Sequence, residues 1–156
     1  MTTIAEIKLS YSPSKVSQKR INNSRDAYEI LLPFFPIGTL HLQEHFIVAY
    51  LNNANQVIGI LNHTSGSMTA TMTDSRLIYA TALQCAATGI IVCHNHPSQS
   101  NRPSMPDNWS TLKLKEMGSI MDIKLLDHII IANAEGEYYS YSDNGFDQLE
   151  KLKDNG

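Results

Sequence analysis

The chain has 156 residues, 42% of them hydrophobic and 17% charged, which suits one globular domain able to bury a core of its own. Twelve basic against fifteen acidic residues leave a net charge of −3, so the composition offers no electrostatic footprint for duplex nucleic acid. No apolar run is long enough to span a bilayer, the first residues lack the apolar core of a signal peptide, and Cys85 and Cys93 match neither a redox nor a zinc-finger spacing; together these point to a reducing cytoplasm.

In chain order, residues 3–11 alternate imperfectly (Ile4, Ile7, Leu9, Tyr11) and predict a strand. The polar residues 12–23 read as a linker, so residues 1–24 are expected to form an arm that packs on a body spanning 25–156. Asn23 or Ser24 is placed to cap a helix over 25–33, which Pro33 and Pro36 stop. Residues 45–51 (HFIVAYL) are apolar on both faces, as an interior strand requires. A turn at 52–55 leads to a returning strand over 56–62 and a small-residue loop over 63–67. Asp74 caps a helix over 75–87 in which Ile78, Ala82, Cys85 and Ala86 share a face, with Gly89 as its stop. A strand over 90–93 follows. Next comes a helix over 105–120, with Leu114, Met117 and Met121 on one side and Gly118 near its end. A strand over 123–131, a turn at 134–136, a strand over 137–141 and a short helix over 145–152 complete the chain. Interior strands separated by helices give an α/β fold, a mixed β-sheet flanked by helices. Both cysteines sit in apolar segments and read as small buried hydrophobes.

The chemistry is concentrated in His94-Asn95-His96-Pro97-Ser98 and the stretch after it. Side chains alternate along a strand, so His94 and His96 face the same way at the end of an apolar run. Asp107 returns eleven residues after His96. Two imidazoles and one carboxylate are the three protein ligands of a catalytic zinc site that keeps a fourth position open. Asp107 also has a purely structural reading. Ser104-Met105-Pro106-Asp107 has the spacing of a capping box, with proline in the first helical turn. On local pattern both readings stand, and in either one the helix N-terminus favours an ionised carboxylate.

Glu44, just before the strand at 45–51, is either an exposed and idle glutamate or a carboxylate that serves as base toward a metal-bound water, and local sequence gives no way to place it near His94. Asp127-His128 interrupts the apolar strand LLDHIII. It is either a satisfied buried pair or a carboxylate holding a ligand histidine in one tautomer. Two strings mislead. His41-Leu42-Gln43-Glu44-His45 spells an inverted zinc-protease motif but runs into a strand where that motif needs a helix. His94-Asn95-His96 spells the name of a nuclease family, without a basic surface to accompany it. The H-x-E and P-C-x-x-C pair of a zinc deaminase is absent.

Glu44, His94-x-His96-Pro97 and Ser104-x-x-Asp107, in that order, resemble the JAMM metalloprotease motif. Gln43-Glu44-His45-Phe46, HNHPS and LLDHIII bring the likeness closer to the RadC-like JAB branch, over about residues 25–145. The resemblance implies a layered α/β fold like that of cytidine deaminases, with Zn2+ on His94, His96 and Asp107. Glu44 would be the base and Ser104 the group that orients the water or the developing oxyanion. It implies hydrolysis of an amide or isopeptide bond in a peptide substrate. The alternatives are a DNA-repair-associated factor that binds or cuts nucleic acid, and a metal-binding module without turnover. Two departures stand out. Relatives usually carry glycine after HNHPS, where this chain has Gln99, and residues 99–102 lack their Gly-Asp-Pro sequence. Longer members also carry an N-terminal helix-hairpin-helix region, which is not expected within these residues.

Overall fold

The computed structural model describes residues 4–5, 8–13, 19–67 and 74–151. Its centre is a five-stranded sheet of β1 (Glu44–Leu51), β2 (Val57–Ser67), β3 (Gly89–Asn95), β4 (Lys124–Ile131) and β5 (Tyr138–Ser140), in the spatial order β2-β1-β3-β4-β5. β3 and β4 run parallel and every other neighbouring pair is antiparallel, which makes the sheet mixed, as expected. In β1 every residue after Glu44 is buried, and in β3 every residue is buried, because helices cover both faces of these central strands.

On one face, α1 (Ser24–Leu31) and two single helical turns, Leu32–Phe34 and Ile37–Thr39, cover Ile47, Ala49, Leu51, Ile91, Cys93, Ile129 and Ile131. On the other, α2 (Ser75–Gln84) packs on Phe46, Val48, Tyr50, Ile90 and Val92, and the Leu114, Met117 and Met121 side of α3 (Met105–Ile120) joins it as predicted. α3 is the crossover that lets β3 and β4 run parallel. Two short helices, α4 (Tyr141–Asn144) and α5 (Asp147–Glu150), close the end, with Tyr141 and Leu149 against Ile130 and Leu112.

Several boundaries differ from expectation. Residues 4–5 and 8–13 form no strand, and the rest of the strand expected over 3–11 lies outside the described residues. Residues 63–67 are strand instead of loop. Backbone pairing with β1 extends over them, and Glu44 pairs with Ser67 through two register shifts near that end. α2 stops earlier than expected: Ala86 adopts the left-handed conformation (φ 53°) and is exposed, and Ala87 takes its place in the core. Gly89 is the first residue of β3 and not the helix stop. A Cβ there would lie 2.8 Å from Leu126 Cδ1. Gly118 lies inside α3, where a side chain would run into the Ile123 carbonyl oxygen. The helix expected over 145–152 is the short α5, residue 152 lying outside the described residues, and an unexpected α4 precedes it, beginning at Tyr141 where the expected strand ends and stopping before Gly145 (φ 80°). Asn23 caps α1, accepting from the Asp26 N–H. Both cysteines are buried and free, as the sequence suggested. Among the described residues no helix is long and apolar enough to cross a membrane.

Candidate metal centre

The site forms where β3 ends and α3 begins. His94 is among the last residues of β3, His96 lies just past its end, and Asp107 stands in the first turn of α3 beside them. His94 Nε2 lies 3.2 Å from Asp107 Oδ1, His96 Nε2 lies 3.2 Å from Asp107 Oδ2, and the two Nε2 atoms are 3.1 Å apart. These three residues form a group that could hold a metal ion. A tetrahedral zinc with ligand bonds near 2.05 Å spaces its donor atoms about 3.3 Å apart, the scale of each of these separations, with the two histidines facing different oxygens of the carboxylate. The donor types, two imidazole nitrogens and a carboxylate, suit zinc as well.

The capping-box reading and the ligand reading of Asp107 are both satisfied. The Ser104 N–H and hydroxyl both donate to Asp107 Oδ2, at 2.7 and 2.6 Å, and the Asp107 N–H returns a 3.3 Å bond to the Ser104 oxygen. The cap therefore aims the carboxylate at the histidines. Burial pushes the Asp107 carboxyl up, but the His94 and His96 rings beside it, with the Ser104 hydroxyl, more than reverse this and hold it well below the usual carboxylate range.

Each histidine is held from behind. His96 Nδ1 lies 2.9 Å from the Ser100 carbonyl, which can only accept, so Nδ1 carries the proton and Nε2 is left as the lone-pair donor. The loop that departs from its relatives thus supports a candidate ligand directly. Gln99 in that loop has φ 61°, the conformation that glycine adopts without strain. The His94 ring stacks on Phe46 with an interplanar angle of 15°, and its Nδ1 lies 2.8 Å from His128 Nε2. Burial, then the neighbouring His94, pushes the His128 pKa well below that of an ordinary histidine.

Glu44 is brought in by strand pairing. Phe46 on β1 pairs with His94 on β3, so the start of β1, where Glu44 stands, lies beside the end of β3. Its charge helps to raise the pKa of His96. This long-range pairing is what local sequence could not supply. His45, one residue on, faces the opposite side and is 2% exposed, and His41 sits in the preceding turn, so the inverted zinc-protease string brings no second histidine to the site.

Asp127 and His128 separate, since neighbouring residues of a strand face opposite ways. Asp127 accepts from the Ser140 and Ser142 hydroxyls and from the Ser142 and His128 N–H groups, all at 2.7–2.9 Å, and so is a satisfied structural carboxylate. His128 is the one that reaches the site. Asn95 went unread in the sequence. Its amide accepts from the His45 N–H at 2.7 Å and donates to the Leu40 and Gln43 carbonyls at 2.6 and 2.9 Å, which ties down the segment ahead of and behind Glu44. A polar residue on the apolar face of a buried strand must find such partners, and that was the available signal.

The family model of the RadC-like JAB domain matches residues 21–146. A UPF0758 protein of Flavobacterium johnsoniae is 44% identical over 127 residues, covering 81% of this chain and 53% of that protein. One from Porphyromonas gingivalis is 35% identical over 148 residues, covering 93% and 63%, and one from Methanosarcina mazei is 34% identical over 129 residues, covering 83% and 54%. The chain spans between about half and two thirds of the length of these relatives. With a mixed sheet carrying a His-His-Asp group at the end of its central strand, and this match over most of its length, the chain belongs to the RadC-like JAB domain family.

Proposed function

We propose that this domain is a zinc-dependent hydrolase of amide or isopeptide bonds. The observation that carries the proposal is the convergence of two Nε2 atoms 3.1 Å apart on one ionised carboxylate, each 3.2 Å from its own carboxylate oxygen, with a second carboxylate at the start of the neighbouring strand. Bound there, zinc would polarise a scissile carbonyl and bring the pKa of a coordinated water to about 7.

The remaining chemistry falls to the side chains. His94, His96 and Asp107 hold the ion. Glu44 takes the proton of the attacking water on a carboxylate oxygen and delivers it to the leaving amine. Ser104, whose hydroxyl and N–H are both on Asp107, holds that carboxylate in place; the resemblance also gives it the water or the oxyanion to orient, once its hydroxyl turns away. A peptide or isopeptide substrate fits these roles. The nucleic-acid alternative draws no support from a net charge of −3.

The test combines zinc analysis with turnover of a quenched peptide library. The wild type should hold one zinc per chain. His96→Ala should lose it. Glu44→Gln should keep zinc while hydrolysis falls by about 100-fold or more, the scale of general-base catalysis. A wild type that hydrolyses no peptide, or a Glu44→Gln variant as active as the wild type, would refute the hydrolase reading.

A further inference from the structure

Behind His94 lies a chain of buried polar atoms in which each hydrogen has one place to go. It starts at the Asp107 carbonyl oxygen, which can only accept, so the Thr111 hydroxyl 2.6 Å away donates to it. Thr111 follows Asp107 by four residues, one turn along the same face of α3, the spacing at which a threonine bonds back to its helix. With that proton committed, Thr111 Oγ1 meets His128 Nδ1, also at 2.6 Å, as an acceptor, and His128 carries its hydrogen on Nδ1. His128 is 1% exposed, stacked on the Tyr141 ring at 5.1 Å and edge-on to Phe46 at 6.1 Å, and a side chain so enclosed is a neutral imidazole with one N–H. Its Nε2 is therefore a bare lone pair, and it faces His94 Nδ1 at 2.8 Å. His94 must donate from Nδ1. Its own lone pair is left on Nε2, the atom 3.2 Å from Asp107 Oδ1.

We infer that Thr111 and His128 are positioning residues that set the tautomer of His94, holding its proton on Nδ1 so that Nε2 is presented to the metal. The inference rests on the metal-site reading proposed above. The chain begins and ends at one residue: the main-chain carbonyl of Asp107 anchors the hydrogen bonds, and its side chain stands beside the nitrogen they free. The opposite polarity, with His128 donating from Nε2, would leave Thr111 Oγ1 facing a second lone pair while its hydrogen is on the Asp107 carbonyl, and would put the His94 hydrogen where the ion must bind. Sheet geometry supports the placement, since His128 pairs with Val92 in the parallel β3–β4 ladder and so lies on the face of His94.

The experiment is nitrogen-15 NMR of histidine-labelled, zinc-loaded protein, together with zinc affinity measured by chelator competition on the wild type, Thr111→Val and Thr111→Ser. His128 should show a protonated Nδ1 and a bare Nε2. Thr111→Val keeps the shape of the side chain and removes the hydroxyl, and should weaken zinc binding 10–100-fold, the range seen when an outer hydrogen-bond partner of a ligand is lost. Thr111→Ser should restore it. His128 protonated on Nε2 would overturn the inference, as would Thr111→Val binding zinc like the wild type, or Val and Ser variants weakened equally. The NMR result on the wild type decides the matter even if Thr111→Val does not fold. Failure of the wild type to take up zinc strikes the metal reading itself, whereas a zinc-bound protein with the wrong His128 tautomer strikes this inference alone.

Discussion

Two buried polar clusters lie back to back on β4, and they use their polar atoms in opposite ways. On one face, the Asp127 carboxylate receives four donors and offers nothing outward. On the other, His94 and His96 are each held at Nδ1, by His128 and by the Ser100 carbonyl, and their Nε2 atoms come together beside the Asp107 carboxylate. Adjacent residues of one strand belong to each cluster. Burial alone therefore does not separate structural from chemical polar groups. What separates them is whether the lone pairs are used up or left pointing together.

Substitutions on each face should come apart accordingly. Asp107→Asn should weaken zinc binding by more than about 100-fold, beyond the loss expected for an outer partner, while the metal-free protein stays folded; calorimetric titration and a thermal melt check both halves. Asp127→Ala should do the reverse, leaving zinc affinity alone and costing roughly 2 kcal/mol in denaturant unfolding, because buried hydroxyls and N–H groups lose their acceptor. If Asp127→Ala also abolished zinc binding, the two faces would not be independent.

The pH dependence sharpens the contrast. Burial lowers the His96 pKa, but its bonds to Asp107 and the Ser100 carbonyl and the nearby charge of Glu44 outweigh this, and in the metal-free protein the pKa is raised above 6.5. Stability drawn from the His96–Asp107 pair is thus complete below the ordinary histidine range and fades as pH rises through the raised value. Zinc affinity moves the other way, falling about tenfold per pH unit on acidification through that window as one proton competes with the ion. Competition titrations between pH 5.5 and pH 8.5, roughly the histidine range on both sides, would show a flat profile if His96 were not a ligand. The smallest effect belongs to the loop. Gln99→Gly should relieve the left-handed backbone at φ 61° and, against the added freedom of the unfolded chain, shift stability by no more than about 1 kcal/mol, with zinc affinity unchanged.

How much of this was legible in the sequence followed the range of the interaction. Period-two alternation put His94 and His96 on one face, and the capping-box spacing placed Ser104 and Asp107 at a helix start. The competition seen there between cap and ligand was an artefact of treating a carboxylate as one acceptor, since its two oxygens carry enough lone pairs for both. Glu44 could be tied to the metal site only through the family resemblance, because the β1–β3 pairing that brings it there joins strands far apart in the chain. Thr111 gave no signal at all, being one hydroxyl in a helix whose partner lies on another strand. Strand and helix ends shifted where backbone pairing outran side-chain pattern, as at residues 63–67.

Asn95 gives the fold a mechanical property. It belongs to the same three-residue run as His94 and His96, yet its amide grips the backbone on either side of Glu44 from the far side of the sheet. The end of β3 and the segment that leads into β1 are therefore fastened to each other by one side chain, so the stretch that carries the metal-facing nitrogens also anchors the stretch that carries the base.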